Sequence, residues 1–246
     1  MKKNLIVDVG NSSAKIALFD GDTLIEQLCV SHEALPRTLR EQAAHTPIKA
    51  AILSSVIPLD EELESTLEAL PFPCLGMSAQ LKMPFHIAYK TPDTLGPDRL
   101  AAVAEAWAQC PGRNLLVIDA GTAITYDLLT ADGTYLGGQI SPGIGMRFKA
   151  LHHFTGKLPL VDREGERTPI GNSTETAIRE GVLQGVDKEI DGYIREYTEK
   201  YPSLFVFLTG GDAFRLDNRA KSRTFADNLL VTKGLNRILT LNNEDI

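Results

Sequence analysis

Apolar residues form two runs of similar pattern about 111 residues apart along the chain. The first run covers residues 5–9 and the second covers residues 116–120, and each breaks at Asp-x-Gly followed by small, amide or hydroxyl residues. A further apolar stretch follows each break and turns at Asp-Gly, at residues 20–21 and 132–133. Asp-Gly between apolar stretches is a strong hairpin signal. The pattern therefore predicts the same strand–loop–strand unit twice.

Beyond the hairpins, the pattern predicts alternating helices and strands. In the first half we expect a strand near 23–30, a helix near 32–45 with Pro36 in its first turn, a strand at 50–56, a helix near 59–70 and a short strand near 74–75. In the second half the opening repeats over 115–140, and we expect helices near 144–152 and 172–200, a strand at 204–208 and a helix near 225–239. This order predicts an α/β protein with two βββαβαβα halves, which we place at residues 1–112 and 113–246.

Composition limits the classes of partner. The 246 residues are 43% apolar, enough for one large or two small cores, and the net charge of −7 argues against nucleic acid or an anionic membrane as the main partner. No stretch approaches the roughly 18 apolar residues that cross a bilayer.

The cysteines, Cys29, Cys74 and Cys110, are odd in number, widely spaced and free of Cys-x-x-Cys. They predict reduced, buried thiols in a cytoplasmic protein.

The two loops after the repeated strands have the composition of phosphate-binding loops. Backbone amides approach a phosphate closely only where side chains are small, as in residues 10–13 and 121–123. Asp8 and Asp119 stand beside these loops, although two anions about 4 Å apart cost roughly 4 kcal/mol at an effective dielectric near 20. We therefore expect a nucleotide phosphate bound together with a cation.

A simpler alternative is that both loops are only hairpins, in which Asp8 and Asp119 make turn hydrogen bonds. The duplication argues against it, as does a third stretch, residues 204–213, in which an apolar strand ends at Thr-Gly-Gly-Asp-Ala and is expected to pass beneath a nucleoside. Neither a P-loop motif nor a dinucleotide-binding Gly-x-Gly-x-x-Gly after a strand is present in the sequence.

The segment between the halves, residues 89–99, leads directly into a predicted helix. Pro97 suits the first helical position, which places Asp98 and Arg99 in the first turn, where free amides and the helix dipole favour an anion. There an ionised Asp98 can accept a proton from an alcohol while Arg99 holds a substrate carboxylate. The alternative is a helix cap with a surface ion pair.

A third candidate segment opens the long predicted helix of the second half. Asn172 and Glu175 resemble a capping box, and Thr174 is either a helix-start residue or a hydrogen-bonding partner of the substrate. Gly181 and Gly185 lie in mid-helix despite a cost of about 1 kcal/mol each, so we expect close packing against another backbone. The inward residues are expected to be Ile178, Val182, Gly185, Val186, Ile190 and Tyr193. Residues 163–167 are interpreted as a solvated loop.

Taken in order, the motifs resemble those of the type III pantothenate kinase family across nearly the whole chain. They are Asp8-x-Gly10-Asn11-Ser12, Gly96-Pro97-Asp98-Arg99, Asp119-x-Gly121-Thr122-Ala123-x-Thr125, Gly137-Gly138-x-Ile140-x-Pro142-Gly143, Gly171-x-x-Thr174 and Gly210-Gly211-Asp212. The resemblance implies a fold of the actin, sugar kinase and Hsp70 type, with two ribonuclease H-like halves and nucleotide held in a cleft between them.

The resemblance also implies an activity and a set of site residues. The activity is ATP-dependent phosphorylation of pantothenate at its 4′-hydroxyl, the first step of coenzyme A synthesis, with Asp98 as proton acceptor. The residues implied to contact pantothenate are Tyr89, Gly96, Pro97, Asp98, Arg99 and Thr174. The residues implied to bind ATP are Asp8, Val9, Gly10, Asn11, Ser12, Ser13, Ala14, Lys15 and Thr122.

The resemblance further implies two cations and an assembly. Asp8 is implied to serve magnesium, and Asp119 a monovalent cation, potassium or ammonium. Family members are homodimers with substrate near the interface, which gives Gly181 and Gly185 a role in helix contacts. Two rival functions remain: a non-catalytic nucleotide-binding regulator of the same fold, and a kinase of another small hydroxy acid or sugar.

Overall fold

The computed structural model describes residues 2–212 and 224–243. Contacts divide the chain into two compact units. Unit 1 comprises Met1–Pro111, Gly133–Tyr135 and Leu229–Ile246, whereas unit 2 comprises Gly112–Asp132 and Leu136–Asn228. The division into sequence domains at 112/113 stays a prediction.

Eleven strands and six helices are seen in the described ranges. In chain order they are β1 (Lys3–Val9), β2 (Ala14–Asp20), β3 (Thr23–Val30), α1 (Leu35–His45), β4 (Ile48–Ser55), α2 (Glu61–Glu68), β5 (Cys74–Gly76), β6 (His86–Ile87), a 3-10 turn (Pro92–Thr94), α3 (Pro97–Gln109), β7 (Leu115–Ala120), β8 (Ala123–Leu129), β9 (Thr134–Pro142), α4 (Ile144–His153), α5 (Thr174–Lys200), β10 (Phe205–Thr209), β11 (Thr224–Ala226) and α6 (Leu230–Asn242).

The two units contain sheets of the same strand order. In unit 1 the order is β3-β2-β1-β4-β5, with antiparallel pairing from β1 through β2 to β3 and parallel pairing from β1 through β4 to β5. In unit 2 the order is β9-β8-β7-β10-β11, and β7 is again antiparallel to β8 and parallel to β10. The predicted duplication of ribonuclease H-like halves is therefore confirmed.

One strand contributes to both units. The first residues of β9, Thr134 and Tyr135, belong to unit 1, where they pair in parallel with β6. Neither β6 nor this pairing was expected from the sequence, because a two-residue strand is too short to produce an apolar periodicity.

In unit 1 the central strand β1 is buried along its middle, with Leu5, Ile6 and Val7 all at 0% exposure. A strand covered on both faces reads as a continuous apolar run rather than an alternation, which is why residues 5–9 carry so strong a signal. One face packs against α1 and α2 through Leu35, Leu39 and Leu63.

Helix α6 completes unit 1. The Asn4 Nδ2 of β1 donates a hydrogen bond to the Asn236 Oδ1 of α6 over 2.8 Å. A Cβ atom added to Gly234 would lie 1.8 Å from the carbonyl oxygen of Ala101 in α3, so the two helices are in backbone contact at this point. The sequence predicted a helix near 225–239, whereas the structure has β11 at Thr224–Ala226 and begins the helix at Leu230.

In unit 2 the long helix α5 packs on the sheet. Its predicted inward residues Ile178, Val182, Val186 and Ile190 are all at most 7% exposed and belong to one apolar cluster with the strands. Tyr193 packs against the same cluster. The inward face of the helix is therefore confirmed.

The start of α5 corrects the predicted capping box. The cap is Ser173, whose hydroxyl oxygen accepts from the Thr176 amide over 3.2 Å, and the Thr176 hydroxyl oxygen accepts from the Ser173 amide in return. The expected Asn172–Glu175 box is thus wrong by one residue. Serine is an equally good cap, and local sequence does not decide between the two.

The expected close packing of two glycines in α5 is also wrong within this chain. A Cβ atom added to Gly181 or Gly185 would meet nothing within 4 Å.

In the part of the chain that the structure describes, no helix is long and apolar enough to cross a bilayer.

Candidate functional site

The first candidate phosphate loop is a tight turn between β1 and β2. The Gly10 amide donates to the Ser13 carbonyl over 3.0 Å. The Gly10 carbonyl in turn accepts from the His32 Nε2 over 3.0 Å, so a side chain from the β3–α1 connection holds the loop from outside. The sequence analysis missed His32, because a lone histidine after a strand carries no distinctive pattern.

Asp8 lies at the start of this loop among charged and polar neighbours. The Ser54 hydroxyl on β4 donates to its Oδ1 over 3.0 Å, and Lys15 faces it across the β1–β2 ladder. Burial raises the pKa of the Asp8 carboxyl; Lys15 and the Ser54 hydrogen bond oppose this effect, and the negative charge of Asp98 adds to it. An ionised Asp8 is therefore costly without a nearby cation.

Asp98 lies near enough to Asp8 in unit 1 for its negative charge to add to the raised pKa of Asp8, although 90 positions separate the two residues in the chain. Asp98 stands in the first turn of α3, after Gly96 as cap and Pro97 in the first turn, as predicted. Its Oδ1 accepts from the Arg99 amide over 2.9 Å. Two carboxylates at this edge give unit 1 a locally anionic site.

Arg99 is only 6% exposed, so the alternative of a surface ion pair is wrong. An added Cβ at the neighbouring Gly96 would lie 2.7 Å from Asp98 Oδ1, so a larger residue at this position would displace the Asp98 carboxylate. The glycine lets the loop backbone approach the carboxylate closely.

Tyr89 belongs to an aromatic group in unit 1. Its ring centroid lies 6.3 Å from that of Tyr135, which is fully buried and also faces Phe85 at 6.1 Å. Aromatic pairs at this distance favour a fixed ring orientation. Tyr89 is therefore anchored on its inner side while remaining partly exposed.

In unit 2 the second candidate loop follows β7. The Gly121 amide donates to the Ala123 carbonyl over 3.0 Å, and the Gly143 amide donates to the Thr122 carbonyl over 3.0 Å. Thr122 itself is exposed. In both loops the glycine amide after the strand donates to a backbone carbonyl of the same loop, but the second loop is closed over three residues and the first over four.

Asp119 is closely approached by the loop after β10. Gly210 has φ +94°, and a Cβ atom there would lie 2.4 Å from Asp119 Oδ1 and 2.5 Å from the Ala120 carbonyl oxygen. The Asp212 amide donates to that same carbonyl over 3.0 Å. The Gly-Gly-Asp motif is thus bound to the second loop, while Ala213, the next residue of the predicted nucleoside-side stretch, lies outside the described residues.

Thr125 on β8 pairs directly with Asp119 in the ladder. Its hydroxyl oxygen is buried, and among the described residues it has no hydrogen-bond partner. A buried orphan hydroxyl beside a carboxylate offers a second oxygen ligand to a small cation.

Thr174 is the first residue of α5 and is exposed. The sequence suggested that residues 163–167, which precede this helix, form a solvated loop. The structure shows instead that two arginines of this loop make ion pairs. Arg163 Nη1 pairs with Asp212 Oδ1 at 2.7 Å, and Arg167 pairs with the buried Glu180. The Arg167 hydrogen bond lowers the pKa of Glu180 to about 2.

Two cavities are lined by residues other than Asp8, Asp98 and Asp119. One cavity of about 370 Å³ lies between α1 and α2 beside Arg40 and Thr66, and another of about 610 Å³ lies beside α5 at Arg167 and Lys188. The described residues contain no cluster of three or more His, Cys, Asp or Glu that could hold a metal ion.

Cys29 is exposed, so the prediction that all three thiols are buried is wrong.

Sequence reasoning also missed Ser54. The sequence held an indirect indication of this residue, because two serines end the apolar strand β4, which pairs in parallel with β1. The carboxyl ends of neighbouring parallel strands meet at one edge of a sheet, so a serine there is expected near Asp8.

Comparisons with known proteins agree with the geometry. A model of the family described as type III pantothenate kinase matches residues 4–196. A relative from Phocaeicola vulgatus named type III pantothenate kinase is 51% identical over 241 residues, which cover 98% of this chain and 99% of the relative.

Solved structures below 25% identity show the fold alone. One from Campylobacter jejuni, described as a proposed Baf family transcriptional activator, has a TM-score of 0.63 at 24% identity and covers 98% of this chain and 100% of that chain. A ROK family glucokinase from Streptomyces griseus has a TM-score of 0.56 at 10% identity, with 98% and 99% covered. The family model that matches residues 4–196 and the relative at 51% identity show that the chain belongs to the type III pantothenate kinase family.

Proposed function

We propose that this protein transfers the γ-phosphate of ATP to the 4′-hydroxyl of pantothenate, with Asp98 as the proton acceptor. The proposal is supported by the contribution of the Asp98 negative charge to the raised pKa of Asp8, which indicates that the predicted proton acceptor lies near the predicted nucleotide loop. The family match over residues 4–196 supplies the substrate class.

Asp98 accepts the proton of the pantothenate 4′-hydroxyl while the oxygen of that hydroxyl forms a bond to the γ-phosphorus of ATP. The bond between that phosphorus and the bridging oxygen breaks, and ADP leaves. Phosphoryl transfer has a loose transition state, so positioning and charge neutralisation carry most of the catalysis and a weak base suffices. The amide of Arg99 holds one Asp98 oxygen in place for this role.

The pantothenate site is assigned to Tyr89, the 96–99 turn and Thr174. The buried Arg99 guanidinium suits the substrate's carboxylate, because arginine binds carboxylates in a planar, bidentate manner. The anchored ring of Tyr89 offers a rigid apolar surface with a polar tip.

The ATP site is assigned to residues 8–15 and Thr122. The small residues of the first loop expose backbone amides, and Lys15 brings a positive charge beside Asp8. In each loop one glycine amide donates to a carbonyl of the same loop, which fixes the shape of the loop and suits its remaining amides to hold a phosphate without rearrangement.

The residues present fit the two implied cations. Asp8 suits magnesium, because burial and Asp98 disfavour its ionised form unless positive charge is close, and magnesium typically takes one or two carboxylates together with phosphate oxygens. When bound, magnesium supplies positive charge that neutralises the phosphate oxygens. Asp119 suits a monovalent cation, since the buried Thr125 hydroxyl beside it lacks a partner in the described residues.

The experiment that tests the function is a coupled ADP-release assay with ATP, magnesium and potassium, run with and without pantothenate. We expect pantothenate-dependent turnover, and we expect Asp98→Asn to lower turnover by roughly 100-fold or more while ATP binding stays nearly intact. Asp93→Asn, in the same loop but exposed, is the matched control and is expected to behave like the wild type.

Three results would count against the proposal. Near-normal turnover of Asp98→Asn removes that residue from the role. Turnover with other hydroxy acids or sugars in preference to pantothenate makes the protein a different kinase. Nucleotide binding without any turnover, in a folded protein, favours the regulator.

The cation assignment has its own test. We expect high rates in potassium or ammonium and low rates in sodium, and we expect Asp119→Asn to abolish the difference between these salts. Equal rates of the wild type in all three salts would defeat the assignment.

We also propose a cytoplasmic homodimer. Support comes from the exposed apolar side chains of unit 2, where Ile140 is 63%, Phe154 80% and Ile170 84% exposed, and from the open space around Gly181 and Gly185 on α5. Analytical ultracentrifugation should give twice the 26.9 kDa mass of the chain. A single species at the chain mass at micromolar concentration contradicts the dimer.

A further inference from the structure

Glu189, in the middle of α5, accepts hydrogen bonds from three other elements of unit 2. The donors are the Tyr126 hydroxyl on β8 at 2.8 Å, the Ser141 hydroxyl on β9 at 2.5 Å and the Arg147 Nη2 on α4 at 2.5 Å. We call these four residues the Glu189 cluster. None of them has a role in the function proposed above.

The cluster is largely removed from water. Tyr126 is fully buried, and the side chains of Arg147 and Glu189 are 22% and 23% exposed. Burial opposes ionisation of Glu189, but the hydrogen bonds from Ser141, Arg147 and Tyr126 outweigh it and hold the pKa of Glu189 below its ordinary value. The same burial, together with the Glu189 carboxylate, raises the pKa of Tyr126. Glu189 is therefore a charged acceptor and Tyr126 a neutral donor at neutral pH.

Two members of the cluster hold the connection from β9 to α4, which consists of the last two residues of β9 and the cap Gly143 and which we call the 141–143 turn. Ser141 lies in the turn itself, and the Arg147 Nε donates to the Pro142 carbonyl over 2.7 Å. Arg147 Nη2 also reaches the Ser141 hydroxyl at 3.3 Å. Charge-assisted hydrogen bonds of this kind are roughly twice as strong as neutral ones, so the turn is held firmly from the α5 side.

On its other side the turn rests directly on the second phosphate loop. The Gly143 amide donates to the Thr122 carbonyl over 3.0 Å. An added Cβ at Gly143 would lie 2.2 Å from the Gly121 carbonyl oxygen and 2.4 Å from that of Thr122, so no gap separates the two segments. A displacement of the turn therefore displaces Thr122.

We infer that Glu189 is a positioning residue for nucleotide binding, acting through Ser141, Arg147 and the 141–143 turn on Thr122. The inference rests on the proposed function, which assigns Thr122 to the ATP site. Glu189 touches no reacting atom in this scheme. It fixes the geometry of a loop that must bind phosphate without rearranging.

The test is Glu189→Gln, which keeps the size of the side chain but removes its charge. Because the neutral amide holds Arg147 and Ser141 more weakly, we expect the KM for ATP to rise about 5- to 20-fold, the KM for pantothenate to stay within about 2-fold and kcat to stay within about 3-fold. The Kd of a nonhydrolysable ATP analogue, measured by calorimetry with magnesium, is expected to rise by the same factor as the KM for ATP.

Glu180→Gln is the matched control. Glu180 lies on the same helix, pairs with an arginine and accepts a hydrogen bond from Gln184. Its side-chain hydrogen bonds among the described residues come from Arg167, Thr168 and Gln184, none of which belongs to the 141–143 turn. It is expected to lower stability but to leave the Kd of the ATP analogue unchanged. An equal loss of nucleotide affinity in both variants would mean that general destabilisation is responsible and would overturn the inference.

Ser141→Ala is a second variant that tests the same inference if Glu189→Gln does not fold. It deletes one hydroxyl, and we expect a smaller selective rise of about 3-fold in the same Kd, with partial rescue by Ser141→Thr. An unchanged Kd in Ser141→Ala overturns the inference, as does a loss in Glu189→Gln that falls on kcat or on pantothenate alone.

The binding measurement separates this inference from the proposed function. Wild-type protein that binds the ATP analogue but does not phosphorylate pantothenate would refute the function. A selective loss of analogue binding in Glu189→Gln would still support the positioning role in that case.

Discussion

Replacing Gly234 by alanine should weaken the contact between α6 and α3. The added methyl carbon would lie 1.8 Å from the Ala101 carbonyl oxygen and 2.5 Å from its carbon. These are backbone atoms of a buried helix, so no side chain can rotate away, and the helices must separate by more than about 1 Å to reach an ordinary contact distance.

Two opposing effects set the size of the change. Alanine is favoured over glycine inside a helix by about 1 kcal/mol. Overpacking costs about 1–3 kcal/mol, and more where backbone rather than side-chain atoms must move. Because only backbone atoms can move here, we expect an overpacking cost of about 3–5 kcal/mol, above the typical range. After the gain of about 1 kcal/mol from alanine, the net loss is about 2–4 kcal/mol, with a fall in Tm of roughly 5–15 °C for a chain of this length.

The assay is urea and thermal unfolding followed by circular dichroism, with Gly192→Ala as the control. Gly192 also lies inside a helix, but an added Cβ there meets nothing within 4 Å, so this variant is expected to gain about 0.5–1 kcal/mol. The two substitutions are chemically identical and should change stability in opposite directions.

Gly234→Ala should also lower turnover, because α3 carries Asp98 in its first turn. A Gly234→Ala protein as stable as the wild type, with Gly192→Ala gaining stability, would refute the close contact between α3 and α6. A loss of equal size in both variants would instead refute the reasoning about open space on α5.

Two other predictions follow from titrating groups. The Arg167 hydrogen bond lowers the pKa of Glu180 to about 2, so its stabilisation is full above about pH 4.5 and is lost as the pH falls toward 2. Glu180→Gln should therefore cost about 1–2 kcal/mol at pH 7 and flatten the acid side of the stability profile; an unchanged profile contradicts this. Burial raises the pKa of Cys74 to about 11, so at pH 8 about one thiol in a thousand is ionised. Iodoacetamide should label the exposed Cys29 first, as read by peptide mass spectrometry, and rapid labelling of Cys74 in folded protein would contradict its burial.

The repeated sheets were predictable because their signals are local. The central strands β1 and β7 are buried runs that end at Asp-x-Gly, and the hairpins after them turn at Asp-Gly, so neighbouring residues alone mark each boundary. The inward face of α5 was predictable for the same reason, since its apolar residues recur at helical spacing.

The failures have a common cause in tertiary structure. Strand β11 has three residues and β6 has two, so neither produces a period, and each exists only because a neighbouring strand offers a partner. Cys29 is exposed because β3 is an edge strand with mostly exposed side chains, whereas the sequence pattern alone does not distinguish an edge strand from a central one.

The same limit applies to the candidate site. Glycines 181, 185 and 234 all occupy helices, but only the fold shows that the last one touches another backbone. Asp98 was recognised from its own motif, while its effect on Asp8 depends on how the chain folds between them. The sequence contains no signal for Glu189, because its hydrogen-bond partners come from three elements that are distant in the chain.

The place of α6 in unit 1 affects how the chain folds during synthesis. The strands and helices of residues 3–109 are made first, but the helix that packs against α3 and β1 is residues 230–242. At roughly 5–20 residues per second, about ten seconds pass on the ribosome between the completion of α3 and the arrival of α6. During that interval the surface of α3 around Ala101 lacks its cover and stays open to aggregation until α6 has been made.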